Sequence, residues 1–177
     1  MNIKIKYIRT PVGELVLGSF QDSLCLCDWR YRKMRSTIDE RIQKGLGTIY
    51  EEEKSEINNE TEKQLKEYFS KQRTRFDIPL LMVGTEFQKS IWNLLLQIPY
   101  GETDTYLGLS KKIDNEKAIR AVAAANGANA IAIIIPCHRI IGSNSELIGY
   151  AGGLNAKKKL LQLENNGRYP EQLQLFD

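Results

Sequence analysis

Ala130-Ile-Ala-Ile-Ile-Ile-Pro-Cys-His-Arg-Ile-Ile141 runs from unbroken apolar residues into a proline, then into one of three cysteines and the only histidine of the chain. A plain core segment has no reason to end in two charged or titratable side chains. A nucleophilic cysteine acts as its thiolate, and at an ordinary pKa of about 8.5 only a few per cent is ionised at neutral pH. A histidine can take the proton, and a carboxylate can orient the histidine. Cys137 and His138 supply the first two. They are sequence neighbours whose side chains need not touch, so a bridging water is expected. The last helical stretch offers Glu164 as the carboxylate. The competing reading is an inert buried thiol, a common fate of cysteine.

Outward from that stretch, the flanks read as short helices. Thr85 can cap a helix with Phe87, Ile91, Leu94 and Leu95 on one face, and Pro99-Tyr100-Gly101 ends it. Thr103 or Thr105 opens a second helix through Tyr106, Leu107 and Leu109. Lys112-Ile113-Asp114-Asn115 breaks it. A third spans about Glu116 to Ala125 and is expected to stop at a left-handed cap in Asn126-Gly127. Two short helices around a tight turn give a helix-turn-helix outline. The third helix, Arg120-Ala-Val-Ala-Ala-Ala125, is nearly all small residues. It suits either close core packing or entry into a narrow groove of DNA with Arg120 reaching out. After the cysteine come a Gly-rich loop, Gly149 to Gly153, and a final helix from about Asn155 to Glu164.

The first eighty residues differ in character. Residues 2–8, 13–20 and 23–29 alternate like strands between turn signals at Pro11-Val12-Gly13 and Gln21-Asp22-Ser23. They predict a small antiparallel sheet. Cys25 and Cys27, two apart on a strand, share a face and read as core residues rather than metal ligands, since zinc takes about four ligands. Residues 31–59 show no clear period and predict a solvated, partly mobile segment. A helix is expected over residues 60–71 with Asn58 or Asn59 as cap, and residues 73–83 read as a linker.

Composition narrows the class. The chain has 177 residues, 42% hydrophobic and 27% charged, with a net charge of +3. That is a globular chain with room for a core. The charge permits nucleic-acid binding without implying it. With no apolar run near 20 residues, no membrane span is expected, and the opening residues lack the apolar stretch of a signal peptide. The expectation is a cytoplasmic protein, without cofactor or metal. Lys111, Lys112 and Lys157 to Lys159 are candidate phosphate contacts, or else a solvated face.

Ile135-Pro-Cys-His-Arg-Ile-Ile141 resembles the active-site signature of the O6-alkylguanine-DNA alkyltransferases, also called methylated-DNA–protein-cysteine methyltransferases. Gly84-Thr-Glu-Phe-Gln-Lys-Ser-Ile-Trp92, Ile98-Pro-Tyr-Gly-Glu-Thr103, Arg120-Ala-Val, Asn126-Gly-Ala-Asn129 and Tyr150-Ala-Gly-Gly-Leu154 are similar to that family too. The resemblance is specific over about residues 84–165. It implies an α+β chain in two parts: an antiparallel-sheet, ribonuclease H-like domain over 1–80 and a mainly helical helix-turn-helix domain over 81–167, with a tail at 168–177. It implies irreversible, single-use transfer of an alkyl group from guanine O6, and potentially from thymine O4, in double-stranded DNA after base flipping.

On the same resemblance Cys137 is the acceptor, His138 its base through water, and Glu164 the group that orients His138. Asn129 holds the turn before the apolar run. Tyr106 donates to the flipped base. Arg120 fills the gap in the stack, with Ala121 and Ala124 on the same DNA-facing helix. The backbone of Cys137, Ile140 and Ala151 binds the base edge, Tyr150 walls the pocket, and Gly152 and Gly153 keep its loop close. Two positions depart from some relatives: Ala130 replaces a proline, and Ala151 replaces a serine near O6. A chain that only binds damaged bases is the alternative, disfavoured by the presence of Cys137. A monomer is expected.

The tail Gln172-Leu-Gln-Leu-Phe176 resembles the short peptide by which bacterial polymerases and repair proteins dock on the sliding clamp. Gln172, Leu173, Leu175 and Phe176 are the expected contacts. The alternative is that the apolar side chains fold back on the domain.

Overall fold

The computed structural model describes residues 1–165. The chain divides into two compact units, residues 1–85 with 130–134, and residues 86–129 with 135 onward. The architecture is mixed α and β, as expected.

The first unit carries strands β1 (Ile3–Thr10), β2 (Gly13–Phe20), β3 (Ser23–Trp29) and β4 (Tyr50–Glu52), and helices α1 (Arg35–Leu46) and α2 (Glu56–Phe69). The sheet order is β3-β2-β1-β4. The first three strands form the expected antiparallel meander, with a register shift at Gly18/Ser19. The addition is β4, parallel to β1 through Ile3 opposite Tyr50. Its two glutamates are exposed, which suits an edge that should not pair further.

The segment 31–59 is therefore structured, contrary to the sequence expectation. α1 has few apolar residues, but Ile38 and Ile42 fall one turn apart and both are buried. Charges do the rest. Asp28, fully buried on β3, accepts from Arg32 and Arg35 at 2.9 Å each, and Arg35 also pairs with Asp39. Gly47, at φ 65°, closes the helix with its N–H on the Gln43 and Lys44 carbonyls. α2 starts earlier than expected because Ser55 is the cap; its hydroxyl accepts from the Asn58 N–H at 3.3 Å. Asn58 is instead buried and donates to the Lys4 carbonyl at 2.8 Å, tying α2 to β1.

β3 receives two further segments on its outer edge. Leu24 bridges Leu80, and Cys27 bridges Ile131, all in parallel sense. Residues 73–83 are thus more than a linker. The Cys27 N–H donates to the Ala130 carbonyl at 2.8 Å, and the Ala132 N–H to the Cys27 carbonyl at 2.6 Å. Ala130 joins the core of Ile3, Ile5, Val16, Cys25, Leu26, Ile38 and Ile42. The run then reverses: the Ile134 N–H returns to the Ala132 carbonyl at 2.9 Å, a γ-turn with Ile133 at φ 71°. A branched residue rarely adopts that conformation.

The second unit carries α3 (Glu86–Leu95), β5 (Asp104–Thr105), α4 (Tyr106–Lys112), α5 (Ile119–Gly127), β6 (Ile140–Ile141) and α6 (Leu154–Glu164). α3 buries Ile91, Trp92 and Leu95, each worth about 1.5–3 kcal/mol of burial. The Trp92 indole donates to the Ala125 carbonyl at 2.8 Å, fixing α3 on α5. Thr105 caps α4 through the Gly108 N–H at 2.9 Å. A 3-10 turn, Glu116–Ala118, leads into α5. The expected left-handed cap is absent: α5 runs through Gly127, and Ala128 follows with right-handed helical angles. No helix among the described residues is long and apolar enough to cross a membrane.

Candidate active site

Pro136 sets the geometry of the cysteine. At φ −82° and ψ 63° it forms an inverse γ-turn, with the Cys137 N–H on the Ile135 carbonyl at 2.8 Å. Cys137–Arg139 then form one 3-10 turn, so consecutive side chains leave in different directions. β6 follows and pairs in parallel with β5, placing Asp104 opposite Ile140 and Thr105 opposite Ile141. That short ladder sets Tyr106, the next residue of the chain after β5, beside the cysteine turn.

Asn129 and Cys137 are buried together. The Asn129 amide donates to the Ile135 carbonyl at 2.9 Å and lies 3.2 Å from the Cys137 sulfur. It therefore holds the turn and offers a donor to the thiol.

His138 is fully buried, and its Nε2 lies 2.7 Å from Glu164 Oε1. Arg139 grips the same carboxylate: Nε donates to Oε2 at 2.9 Å and Nη2 to Oε1 at 3.0 Å. Its Nη1 donates to the Ile98 carbonyl at 2.6 Å, and the Gly101 N–H reaches Glu164 Oε2 at 3.3 Å. Burial alone would raise the Glu164 carboxyl, but His138 and Arg139 together hold it well below the usual range. Burial holds His138 below its ordinary value, outweighing the pull of Glu164. The histidine is thus neutral, with its Nε2 proton on a carboxylate. Its Nδ1 has no hydrogen-bonding partner in the protein and carries the lone pair.

The other expected residues group as follows. The Tyr106 hydroxyl donates to the Ile148 carbonyl at 3.1 Å, and burial pushes it up to about 12, with the Cys137 charge adding to this. The Tyr150 ring stands edge-on to His138 at 6.5 Å. Ala151 and Gly152 follow it, half-buried, and Ile140 is buried. On α5, Arg120, Ala121 and Ala124 are exposed, while Val122, Ala125 and Asn126 are buried. Lys111 and Lys112 are exposed, and Lys112 is paired with Asp104 at 2.8 Å. Lys157 is not available to a phosphate. It is fully buried, with Nζ donating to the Ile148 and Gly149 carbonyls at 3.0 and 3.3 Å. Gln172, Leu173, Leu175 and Phe176 lie outside the described residues.

Arg139 was missed as a site residue by sequence reasoning. The available signal was a second charged side chain in a turn that also carries a buried histidine.

The cluster can ionise a thiol, hold it, and carry its proton away through a neutral imidazole. Comparisons with known proteins place this chemistry. The family "6-O-methylguanine DNA methyltransferase, DNA binding domain" matches residues 86–166. A methylated-DNA--protein-cysteine methyltransferase of Methanosarcina acetivorans is 42% identical over 89% of this chain and 96% of its own length. One of Mycobacterium bovis is 39% identical over 99% of both chains. Among solved structures, the Mycobacterium tuberculosis O6-methylguanine methyltransferase matches with TM-score 0.77 at 37% identity, covering 99% of each chain. The M. tuberculosis OGT in complex with DNA matches with TM-score 0.78 at 36% identity, over 93% of this chain and 94% of that one.

Proposed function

The chain belongs to the family of methylated-DNA--protein-cysteine methyltransferases, and from that premise we propose that it repairs DNA by moving the alkyl group of O6-alkylguanine onto its own Cys137. The observation that carries the assignment to Cys137 is the buried chain of groups around it: Asn129 at its sulfur, His138 beside it in the turn, and Glu164 behind His138.

In this reading the target base leaves the duplex, since its O6 substituent cannot be reached within the stack. The Cys137 proton passes through water to His138 Nδ1, and Glu164 stabilises the imidazolium that forms. The thiolate attacks the alkyl carbon. The S–C bond forms as the C–O6 bond breaks, and the electron pair stays with guanine. Tyr106, turning from Ile148, donates to the base as that charge builds, and the base ends as ordinary guanine. The thioether is stable, so each molecule acts once. O4-alkylthymine, whose oxygen carries the alkyl group in the same way, is a second substrate under this reading.

DNA contact follows the same premise. α4 and α5 act as a helix-turn-helix, with the exposed Arg120, Ala121 and Ala124 on the face toward DNA. Small side chains allow close approach to the minor groove, and Arg120 fills the place of the flipped base. The chain acts as a monomer in the cytoplasm. Residues 172–176 dock weakly on a bacterial sliding clamp. Calorimetry of a residue 168–177 peptide against a clamp tests that last point, and an absence of heat would end it.

Intact mass after incubation with excess duplex carrying one O6-methylguanine tests the main proposal. The expected result is a gain of one methylene, mapped to Cys137 and stopping at one equivalent. Tight binding with unchanged mass would instead favour a protein that only senses damage.

A further inference from the structure

The mechanism above leaves one buried charge unused. Lys157 lies seven residues before Glu164 on α6, about two turns away, so the two share a helix face. Glu164 meets His138, and Lys157 meets the loop that follows β6. A fully buried ammonium is expensive unless it is hydrogen-bonded. This one is, but to main-chain carbonyls of Ile148 and Gly149 rather than to a carboxylate. No anionic side chain therefore neutralises it in these contacts.

Two features tie it to the reacting centre. The Ile148 carbonyl that accepts from Lys157 also accepts from the Tyr106 hydroxyl. Gly149, at φ 55°, gives the loop its bend there. The Lys157 charge also interacts with Cys137 and with His138. Burial pushes the ammonium down to about 8, and the Cys137 charge pulls the other way.

We propose that Lys157 is a positioning residue for the transfer: its ammonium pins the Ile148–Gly149 carbonyls where Tyr106 rests, and places beside Cys137 the positive charge that favours the thiolate. The ionisable groups around it are Cys137, His138 and, through Ile148, Tyr106. Of these only the thiolate is an anion in the resting site, so its formation is the event the ammonium assists. The proton itself still leaves through water to His138.

This rests on Cys137 being the alkyl acceptor, but its test does not need DNA. Iodoacetamide alkylation of Cys137 as a function of pH reads the thiol directly. An adjacent opposite charge moves a pKa by about 1 unit or more, so Lys157→Met should leave about tenfold less thiolate at pH 7. Alkylation should slow by about threefold or more, since a thiolate of higher pKa is also more nucleophilic. Lys157→Arg should restore most of the rate, and binding to undamaged duplex should be unchanged in both. An identical pH profile in Lys157→Met and the parent protein would overturn the proposal. Should Lys157→Met fail to fold, the coupling can be read from the other side, because it is reciprocal. The Lys157 Nζ resonance, titrated in 15N-lysine protein, should have a lower midpoint in Cys137→Ser than in the parent. Equal midpoints would overturn it. A parent protein that shows the coupling yet leaves O6-methylguanine untouched would sink the repair function and leave this inference standing.

Discussion

Arg139 and Glu164 form a two-bond clamp, at 2.9 and 3.0 Å, in which the carboxylate is 4% exposed and the guanidinium residue 7%. The carboxylate thus serves two neighbours from one turn, His138 and Arg139. The pair is cheap only while intact. Removing one partner of a buried ion pair costs about 3–5 kcal/mol, because the other is left charged and unmatched.

Glu164→Ala should therefore unfold the second unit far more readily than it slows chemistry alone. We expect a loss of about 3–5 kcal/mol, visible as a large drop in Tm by calorimetry. A Tm within a degree or two of the parent would show that Arg139 finds other partners.

Acid should destabilise the protein in two windows. His138 is held below its ordinary value of about 6.5, so its stabilising contribution is complete above about pH 6.5 and is lost as pH falls. Glu164 is held below about 4.3, so its contribution starts to fade only below that. His138 is the only histidine in the chain. Melting curves from pH 7.5 to 5.5 should slope downward in the parent and be flatter in His138→Gln; equal slopes would remove His138 as the cause.

The three thiols should be unequal. Cys25 is buried, donates to the Gly18 carbonyl at 3.4 Å and is pushed up to about 12 by burial. Cys27 is fully buried on the same strand. Cys137 has Asn129 at its sulfur and a histidine behind it. Limited iodoacetamide treatment at pH 7.5, followed by peptide mapping, should mark Cys137 first; early label at Cys25 would contradict the burial.

Asn129→Ala should cost both stability and reactivity. It strips the donor from the buried Ile135 carbonyl, a loss of about 1–3 kcal/mol, and removes the amide from the Cys137 sulfur. Denaturant midpoints and single-turnover transfer rates measure the two effects separately. A slower transfer with an unchanged midpoint would mean that the Ile135 carbonyl finds another donor.

The strands and the helices after residue 85 were legible because their periods and turn residues are local signals. β1 to β3 and α3, α4 and α6 lie close to where alternation, Pro11-Val12-Gly13 and Thr105 put them. α1 was not legible, since Ile38 and Ile42 are sparse and its other supports are ion pairs to Asp28, a residue on another element. β4 consists of residues that pair only because β1 offers an edge. For the site, Cys137 and His138 stood out by composition, and the family resemblance named Glu164 and Asn129. Arg139 and Lys157 read as surface cations. Whether such a side chain turns inward depends on partners that no short window of sequence contains: a carboxylate on α6 for one, two loop carbonyls for the other.

The γ-turn at Ile133 sets two demands on one position. Its φ of 71° is a conformation glycine adopts freely, yet the side chain is 1% exposed within the core. Glycine would relieve about 1–3 kcal/mol of backbone strain. Stripping an isoleucine back to alanine already costs about 2–5 kcal/mol in a packed interior, and glycine removes more. Volume outweighs conformation, so the branched residue stays. Alanine fares poorly on both counts, keeping an unfavourable backbone while opening a void. A position caught between opposite requirements has no neutral neighbour to drift to, and the reversal that precedes the reactive cysteine is held in place by that conflict.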